Sequence, residues 1–286
     1  MELLQVDRNL LLAPLQAVSG VVERRHTLPI LSNVLLEIGA GKVCVTATDL
    51  EIQVASEMDS SDAIQAQATT VSARKLQDIL RSLPDAAAVS LQLQDKRLQL
   101  RAGKSKFSLQ TLAAQDFPKI ASAGGPAVEL QLPQKELKRL LALVQYAMAQ
   151  QDIRYYLNGL LFSLREDALV VVATDGHRLA LASLAVTLGA ARTEVILPRK
   201  AILELAKLLG YTDEPVSLKV LENQVSFGFG RISFITKVVD GKFPDFQKVV
   251  PSGYKKRFVL DRVTRSRLCN ARRSCLTRSL GVCAGS

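Results

Sequence analysis

The sequence predicts an α+β protein built from tandem repeats of one unit, in which two helices lie on one face of an antiparallel sheet. Two observations predict this class. Segments with apolar residues at helical spacing are followed by segments of alternating polarity, and turn signals such as residues 39–41 lie between the alternating segments. The same order of segments then occurs a second time, about 126 residues further along the chain.

Three separate matches define the repeat. Residues 43–49 (VCVTATD) return as residues 169–175 (LVVVATD), a shift of 126 at every position. The Arg-Lys pair that opens a helical pattern, Arg74 and Lys75, returns at a shift of 125. Phe107 and the Phe-Pro pair that follows it return at shifts of 127 and 126. Three matches in one order and within one residue of a common period indicate a duplicated unit.

Each unit has the same predicted plan. It begins with a strand, enters an amphipathic helix, continues with alternating strands and a second helix, and closes with two or three strands before the Phe-Pro pair. The predicted opening strands are residues 3–6 and 128–132, and the predicted first helices are residues 10–18 and 137–148. The second helices follow residues 73–75 and 198–200.

The repeat divides the chain into two complete units and the start of a third. Residues 1–125 and 126–253 are the two units, and residues 254–263 resemble the opening strand of another copy. Residues 264–286 have no acidic residue, five arginines and three cysteines. We expect this tail to be disordered and to arise from a frameshift or another error in the sequence. The alternative is a genuine basic tail that binds nucleic acid.

The net charge of +10 is concentrated at one end of the chain. Residues 255–286 carry nine Lys or Arg against one Asp, so that segment is +8 and residues 1–254 are only +2. Any DNA binding by the two units must therefore come from where their charges lie. No signal peptide or membrane-spanning run is evident, so we expect a cytoplasmic protein. The cysteine spacing predicts no metal site, and no cofactor is expected.

The sequence favours a non-catalytic protein, because the parts of an enzyme site are scarce. It has two histidines, and no P-loop, GxSxG or HExxH motif. Asp49 and Asp175 occupy equivalent positions at the ends of strands, where we interpret them as turn-forming residues. The alternative is a nuclease that acts through these two carboxylates.

Basic residues recur at the start of the second helix of each unit. Arg199 and Lys200 repeat the pair at residues 74–75, and another basic residue follows two turns later in both helices. Residues seven apart share a helix face, so each unit could present a basic stripe that contacts phosphates without reading bases. A solvated helix face is the alternative. The loops at residues 23–26 and 150–156 combine Arg, Gln and Tyr, as in surfaces that touch a DNA backbone or an unpaired base.

These segments resemble the bacterial replicative sliding clamp, the β subunit of DNA polymerase III. The matching strings are TLPIL at residues 27–31 and ATDLE at residues 47–51 in the first unit, QDIRYYLNG at residues 151–159 and ATDGHRL at residues 173–179 in the second, and VDGKFPD at residues 239–245. The resemblance extends over about residues 1–263. It implies three similar units per chain and two chains joined head to tail in a ring around DNA.

The resemblance also assigns expected roles to individual residues. It places Arg25 and Gln151 on loops that touch duplex DNA, with Tyr155 and Tyr156 nearby, and we add Arg199 and Lys200 from the basic stripe. The implied partners are the polymerase III α subunit, the clamp loader, other polymerases and repair proteins, which dock short peptides in a pocket of the second unit. The expected pocket residues are Leu157, Thr174, Gly176, His177, Arg178, Leu179, Pro244 and Val249.

The first unit is expected to supply half of a subunit interface. The residues that the resemblance implies there are Lys75, Arg97, Lys104, Lys106, Phe107 and Leu109. The other half belongs to the third unit, so this chain is not expected to close a ring, and the edge strand of its first unit would be unpaired and prone to association. A fragment that binds partner peptides weakly without encircling DNA is the second interpretation. Polymerase and nucleotidyltransferase activities belong to the holoenzyme, since this chain offers no site for that chemistry.

Overall fold

The computed structural model of the chain describes residues 2–23, 28–39, 41–60, 66–121, 125, 128–188, 193–250, 259, 261 and 263–267. The chain divides into two compact bodies, Met1–Phe243 and Pro244–Ser286, and each is described by itself. Within the described residues, no helix has the length and apolar character needed to cross a membrane.

The first body contains two copies of one order of elements: a strand, a helix, four strands, a helix and three strands. The first repeat consists of β1 Glu2–Asp7, α1 Arg8–Val18, β2 Asn33–Gly39, β3 Lys42–Thr48, β4 Ile52–Asp59, β5 Gln67–Ser72, α2 Ala73–Ser82, β6 Ala88–Gln94, β7 Arg97–Ala102 and β8 Ser105–Leu112. The second repeat consists of β9 Val128–Pro133, α3 Gln134–Val144, β10 Gly159–Leu164, β11 Ala168–Thr174, β12 Leu179–Ala185, β13 Thr193–Pro198, α4 Arg199–Leu208, β14 Pro215–Val220, β15 Gln224–Phe229 and β16 Ile232–Lys237. The predicted α+β duplication is confirmed.

The sequence predicts one antiparallel sheet in each unit. In the structure, each repeat instead contains two four-stranded antiparallel sets of strands. In the first repeat these are β1-β6-β7-β8 and β5-β2-β3-β4, and in the second they are β9-β14-β15-β16 and β13-β10-β11-β12. In the first repeat the two sets are joined where Thr70 and Val71 of β5 pair with the end of β8. Strand β4 of the first repeat also pairs with β16 of the second, so twelve strands form one continuous sheet.

The helices form where the apolar spacing predicts them, but α1 begins and α3 ends at residues other than those predicted. Helix α1 begins at Arg8, because the Asp7 carboxylate caps it by accepting a hydrogen bond from the Asn9 N–H at 2.7 Å. Helix α3 ends at Val144 rather than continuing to residue 148, and a 3₁₀ turn, Gln145–Ala147, follows it. Helix α1 packs on β4 and α2, while α3 packs on β12 and α4, so both repeats bury their helices in the same way.

The core of the second repeat contains three fully buried phenylalanines that pack against one another. The ring of Phe227 lies edge-on to Phe162 at 6.4 Å and to Phe234 at 6.1 Å between centroids. These side chains come from β10, β15 and β16, so they connect the two strand sets of the repeat.

The second body is described in two short segments. A 3₁₀ turn spans Phe246–Lys248, and residues 263–267 form a helical turn whose start is capped by Asp261, which accepts from the Thr264 N–H at 2.8 Å. This turn lies where the sequence predicts disorder from residue 264. Most of the predicted third opening strand and of the tail falls outside the described residues, so those predictions and the predicted unit boundaries stay open.

Candidate functional site

The turn at residues 174–178 of the second repeat is fixed by its own side chains. The Thr174 hydroxyl donates to the Arg178 carbonyl at 2.7 Å and accepts from the Gly176 N–H at 3.1 Å. The Asp175 carboxylate accepts from the N–H groups of His177 and Arg178 at 2.9 and 3.0 Å. Gly176 has φ +88°, a conformation that glycine adopts without strain. The turn therefore presents His177 and Arg178 at the surface in a defined geometry.

The first repeat has the same turn at residues 48–52. Thr48 donates to the Ile52 carbonyl, and the Asp49 carboxylate accepts from the N–H groups of Glu51 and Ile52. Leu50, with φ +78°, occupies the position of Gly176. In the second repeat, the hydrogen bonds from the backbone of His177 and Arg178 lower the pKa of Asp175. Both aspartates are therefore turn-forming residues, as predicted, and the nuclease alternative loses the two groups on which it depended.

A loop at residues 152–158 is closed by a carboxylate-guanidinium pair. The Asp152 carboxylate accepts from Arg154 Nε at 3.0 Å and Nη2 at 2.9 Å, and from its backbone N–H at 2.8 Å. These bonds lower the pKa of Asp152 to about 2. Asn158 closes the loop by exchanging two hydrogen bonds with the Asp152 backbone. Leu157 lies at the base of the loop and is 1% exposed.

Arg154 connects this loop with the turn that follows β11. Its Nη2 lies 3.5 Å from the Asp175 carbonyl oxygen, and a Cβ added at Gly176 would lie 3.2 Å from the same nitrogen. The loop carrying Leu157 and the turn carrying His177 therefore lie side by side. Asp152 and Arg154 are not among the residues predicted for this site, and their spacing of two residues is the signal in the sequence that could have indicated the pair.

The remaining expected pocket residues divide between the two bodies. Leu179 opens β12 and is half-buried, and Thr174 is almost fully buried at the end of β11. Pro244 and Val249 belong to the second body, where both are exposed.

Of the two expected DNA-contacting tyrosines, Tyr155 is exposed and Tyr156 is half-buried. The rings of Tyr155 and Tyr156 meet edge to face at 5.9 Å between centroids, and Tyr155 is 56% exposed. Gly241, with φ +128°, lies under the pair, because a Cβ at that position would come within 3.4 Å of Tyr156. Gln151 is exposed with φ +55°. Arg25 lies outside the described residues.

Arg199 and Lys200 make internal contacts instead of projecting freely. Lys200 Nζ lies 2.9 Å from Glu23 and 2.5 Å from Asp49, both in the first repeat. Burial lowers the pKa of Lys200, but its hydrogen bonds to the two carboxylates outweigh that effect and the pKa is raised. Arg199 donates to the Met148 carbonyl at 3.2 Å. Their predicted role as phosphate contacts therefore competes with a structural one, which only the tertiary fold reveals.

The expected subunit-interface residues surround one edge of β8. Residues Ser105–Gln110 pair with β7 on one side and, among the described residues, with no strand on the other. A groove of about 570 Å³ runs beside this edge, and its lining includes Lys75, Arg97 and Leu109. Lys104 and Lys106 are exposed and Phe107 is half-buried. The edge is therefore a basic strand with apolar residues along it.

The duplicated unit, with two helices and two four-stranded antiparallel sets in each repeat, is the architecture of the sliding-clamp class. Residues 1–121 match the family model described as the DNA polymerase III β subunit, N-terminal domain, and residues 131–245 match the model of its central domain. The chain therefore belongs to the family of DNA polymerase III β subunits, the bacterial sliding clamps. A sliding clamp is a processivity factor and a non-catalytic subunit of the polymerase, as the sequence analysis expected.

Relatives and solved structures agree with this assignment. The β sliding clamp of Pseudomonas aeruginosa is 44% identical over 258 residues, which cover 90% of this chain and 70% of the relative. The clamp of Escherichia coli K12 is 43% identical over 251 residues, covering 88% and 68%. The crystal structure of the polymerase III β subunit from P. aeruginosa superposes with a TM-score of 0.85 at 44% identity, covering 88% of this chain and 69% of that one.

Proposed function

We propose that this chain acts as a DNA sliding clamp: it holds duplex DNA without reading its sequence and docks short peptide segments of its partners in the pocket of the second repeat. The proposed partners are the polymerase III α subunit, the clamp loader, other polymerases and repair proteins, and the proposed location is the cytoplasm. The observation that supports peptide docking most strongly is the bridge from Asp152 through Arg154 to the turn at residues 174–178.

The chemistry of this pocket suits an apolar peptide side chain. Leu179 is half-buried and supplies apolar surface, Leu157 is buried at the base of the loop, and Thr174 uses its hydroxyl inside the turn. The guanidinium groups of Arg154 and Arg178 are both paired with neighbouring aspartates, at 2.9 Å each. The rim is therefore close to neutral and already hydrogen-bonded, so docking an apolar side chain leaves few polar groups without partners.

Peptide affinity tests this proposal directly. We expect His177→Ala and Leu179→Ala each to weaken the binding of a fluorescent polymerase III α clamp-binding peptide about five- to tenfold, measured by anisotropy. Glu51→Ala is the matched control, because Glu51 occupies the position of His177 in the turn of the first repeat. The docking proposal fails if Glu51→Ala weakens binding as much as His177→Ala, or if neither pocket variant changes it.

DNA contact is proposed for Arg25, Gln151, Tyr155 and Tyr156. Tyr155 and Gln151 are exposed in the same loop, so their side chains can contact backbone and sugar without base readout. In filter binding at increasing salt, Arg25→Ala should reduce the slope of log affinity against log salt by about 0.9, as for one lost phosphate contact. Tyr155→Phe, which keeps the ring, should leave the slope unchanged. An unchanged slope for Arg25→Ala would remove Arg25 from the proposal.

The β8 edge is proposed as the surface that meets another clamp chain in a head-to-tail homodimer. Lys75, Arg97, Lys104 and Lys106 would provide the charges, and Phe107 and Leu109 the apolar contacts. The second candidate function is peptide binding without encircling DNA, which is favoured by the unpaired β8 and β12 edges of the described residues. Loading onto nicked circular DNA by the clamp loader separates the two, because only an encircling assembly stays on the circle and leaves when the DNA is linearised.

A further inference from the structure

The turn at residues 48–52 borders a cavity, the first-repeat cleft, that is separate from the pocket of the second repeat. The cleft has a volume of about 270 Å³ and lies where this turn, the segment after β8, and strands β15 and β16 meet. Its lining includes Thr48, Leu50, Pro118, Ile120, Gln224 and Lys237. All of these residues belong to the first body, so both repeats contribute walls to the cleft.

The first-repeat cleft uses the same turn as the proposed peptide pocket, with different side chains. Thr48 and Leu50 occupy the turn positions of Thr174 and Gly176 in the second repeat, at a shift of 126 residues. The Phe-Pro pair that includes Pro118 recurs at the same shift. The two repeats therefore share the framework of a binding site, and the side chains that line it decide what each can bind.

Leu50 is the main difference between the two turns. Its φ is +78°, a left-handed conformation that Gly176, with φ +88°, adopts without strain but that costs a leucine conformational energy. Non-glycine residues held in this conformation cluster at binding and active sites, where the surrounding fold keeps them in place. The Leu50 side chain is half-buried and lines the cleft, so the strained backbone supplies an apolar wall that glycine would not.

Several polar groups in the walls of the cleft are already hydrogen-bonded. The Thr48 hydroxyl is used within its own turn. The Ile120 N–H donates to the side-chain oxygen of Gln53 at 2.8 Å. The side chain of Gln224, from the second repeat, donates to the Ala121 carbonyl at 3.1 Å. These bonds hold the walls in place, so an apolar side chain can enter without leaving these groups unpaired.

A lysine at the rim of the cleft is available to a ligand. The Lys237 N–H donates to the Glu51 carbonyl at 2.8 Å, which fixes the backbone, and Lys237 itself is exposed. Among the described residues, no carboxylate forms an ion pair with its ammonium group, whereas nearby Lys119 is paired with Glu37 at 2.6 Å. The rim therefore favours an acidic ligand, unlike the second-repeat pocket, whose two guanidinium groups are both paired.

We propose that the first-repeat cleft is a second docking site, which takes a short partner segment with an apolar side chain beside a carboxylate. The apolar side chain packs against Leu50, Pro118 and Ile120, and the carboxylate pairs with Lys237. At about 270 Å³ the cleft is smaller than most ligand pockets, so it suits one or two side chains of a flexible segment. The inference is independent of peptide docking in the second repeat and of DNA contact.

A matched pair of peptides tests the chemistry of the site. The probe is a fluorescein-labelled, amidated peptide of sequence Gly-Leu-Glu-Leu-Gly, and its control has Gln in place of Glu. By anisotropy with the full chain, the Glu peptide should bind about threefold more tightly, and salt should reduce the difference. Saturating polymerase III α clamp-binding peptide should not displace it. The absence of saturable binding, equal affinities of the two peptides, or displacement by the α peptide would overturn the proposal.

Substitutions in the chain test the location of the site. Leu50→Gly removes the apolar wall and should weaken probe binding about fivefold, while relief of the strained backbone offsets the lost packing and Tm changes little. Lys237→Gln should abolish the preference for the Glu peptide. Lys42→Gln, which changes an exposed lysine at the other end of β3 from Thr48, is the matched control and should retain it.

Three results of these substitutions would contradict the proposal. They are wild-type probe affinity in Leu50→Gly, equal effects of Lys237→Gln and Lys42→Gln, and a change in self-association by Leu50→Gly, measured by sedimentation, without a change in probe binding. The last result would assign the cleft to a second copy of the chain.

Discussion

Lys200→Met is the most informative single substitution at the junction of the two repeats. Lys200 Nζ lies between Glu23 and Asp49, and the Asp49 side chain is only 4% exposed. Methionine keeps most of the apolar length of lysine but leaves the Asp49 carboxylate without its cation.

The expected cost follows from this burial. Removing one partner of a fully buried ion pair costs roughly 3 to 5 kcal/mol. Lys200 itself is 38% exposed, so water screens the interaction, and we expect a loss of about 2 kcal/mol. For a body of this size, that corresponds to a fall in Tm of about 4 to 8 °C.

Thermal unfolding and DNA binding together form the assay. Lys207→Met is the matched control, since Lys207 lies on the same helix, pairs with Glu204 and is 68% exposed, so its loss should cost less than about 0.5 kcal/mol. The salt slope of DNA binding should be unchanged in Lys200→Met. The structural role is refuted if the two variants have the same Tm, or if Lys200→Met lowers the slope by about 0.9, the value for a lost phosphate contact.

Three further predictions concern the pocket and the joint between the repeats. Arg154 holds the pKa of Asp152 at about 2, so this pair stabilises the folded state above about pH 4 and its contribution is lost as the pH falls towards 2. In Asp152→Asn, the free energy of unfolding should therefore fall less steeply with decreasing pH between about 4 and 2. Gly176→Ala should cost about 1 kcal/mol in urea unfolding and weaken peptide binding, because φ is +88° and the new methyl group meets Arg154. Phe234→Ala should cost about 3 to 5 kcal/mol, whereas Arg231→Ala should cost less than about 0.5 kcal/mol, because Phe234 is fully buried and the Arg231 ion pair is exposed. Equal costs for the last two variants would show that the ion pair, rather than packing, secures the joint.

The duplicated architecture could be predicted because the same pattern of residues occurs twice in the sequence. Residues 43–49 and 169–175 form β3 and β11 with the start of the same turn, and local hydrogen bonds of Thr and Asp explain why both copies keep these residue types. The positions of the helices followed from the apolar spacing, and only their ends differ from the prediction. Helix α1 begins earlier because Asp7 caps it, and helix α3 ends earlier because the chain passes into a 3₁₀ turn after Val144.

Contacts between distant segments could not be predicted in the same way. The partners of Lys200 lie more than 150 residues away, so a helix with a basic start was indistinguishable from a phosphate-binding stripe. Arg154 was assigned to a loop that touches DNA, whereas it bonds Asp152 and lies over Gly176. The division of each unit into two strand sets depends on which edges pair, and alternating polarity alone does not specify that.

Hydrogen exchange of the chain with and without the polymerase III α clamp-binding peptide tests the central claim most directly. Peptide docking in the second repeat predicts slower exchange at residues 152–158 and 174–179, with no change at the equivalent turn, residues 48–53, of the first repeat. Protection confined to the first repeat, or no protection in either repeat at saturating peptide, would contradict the account.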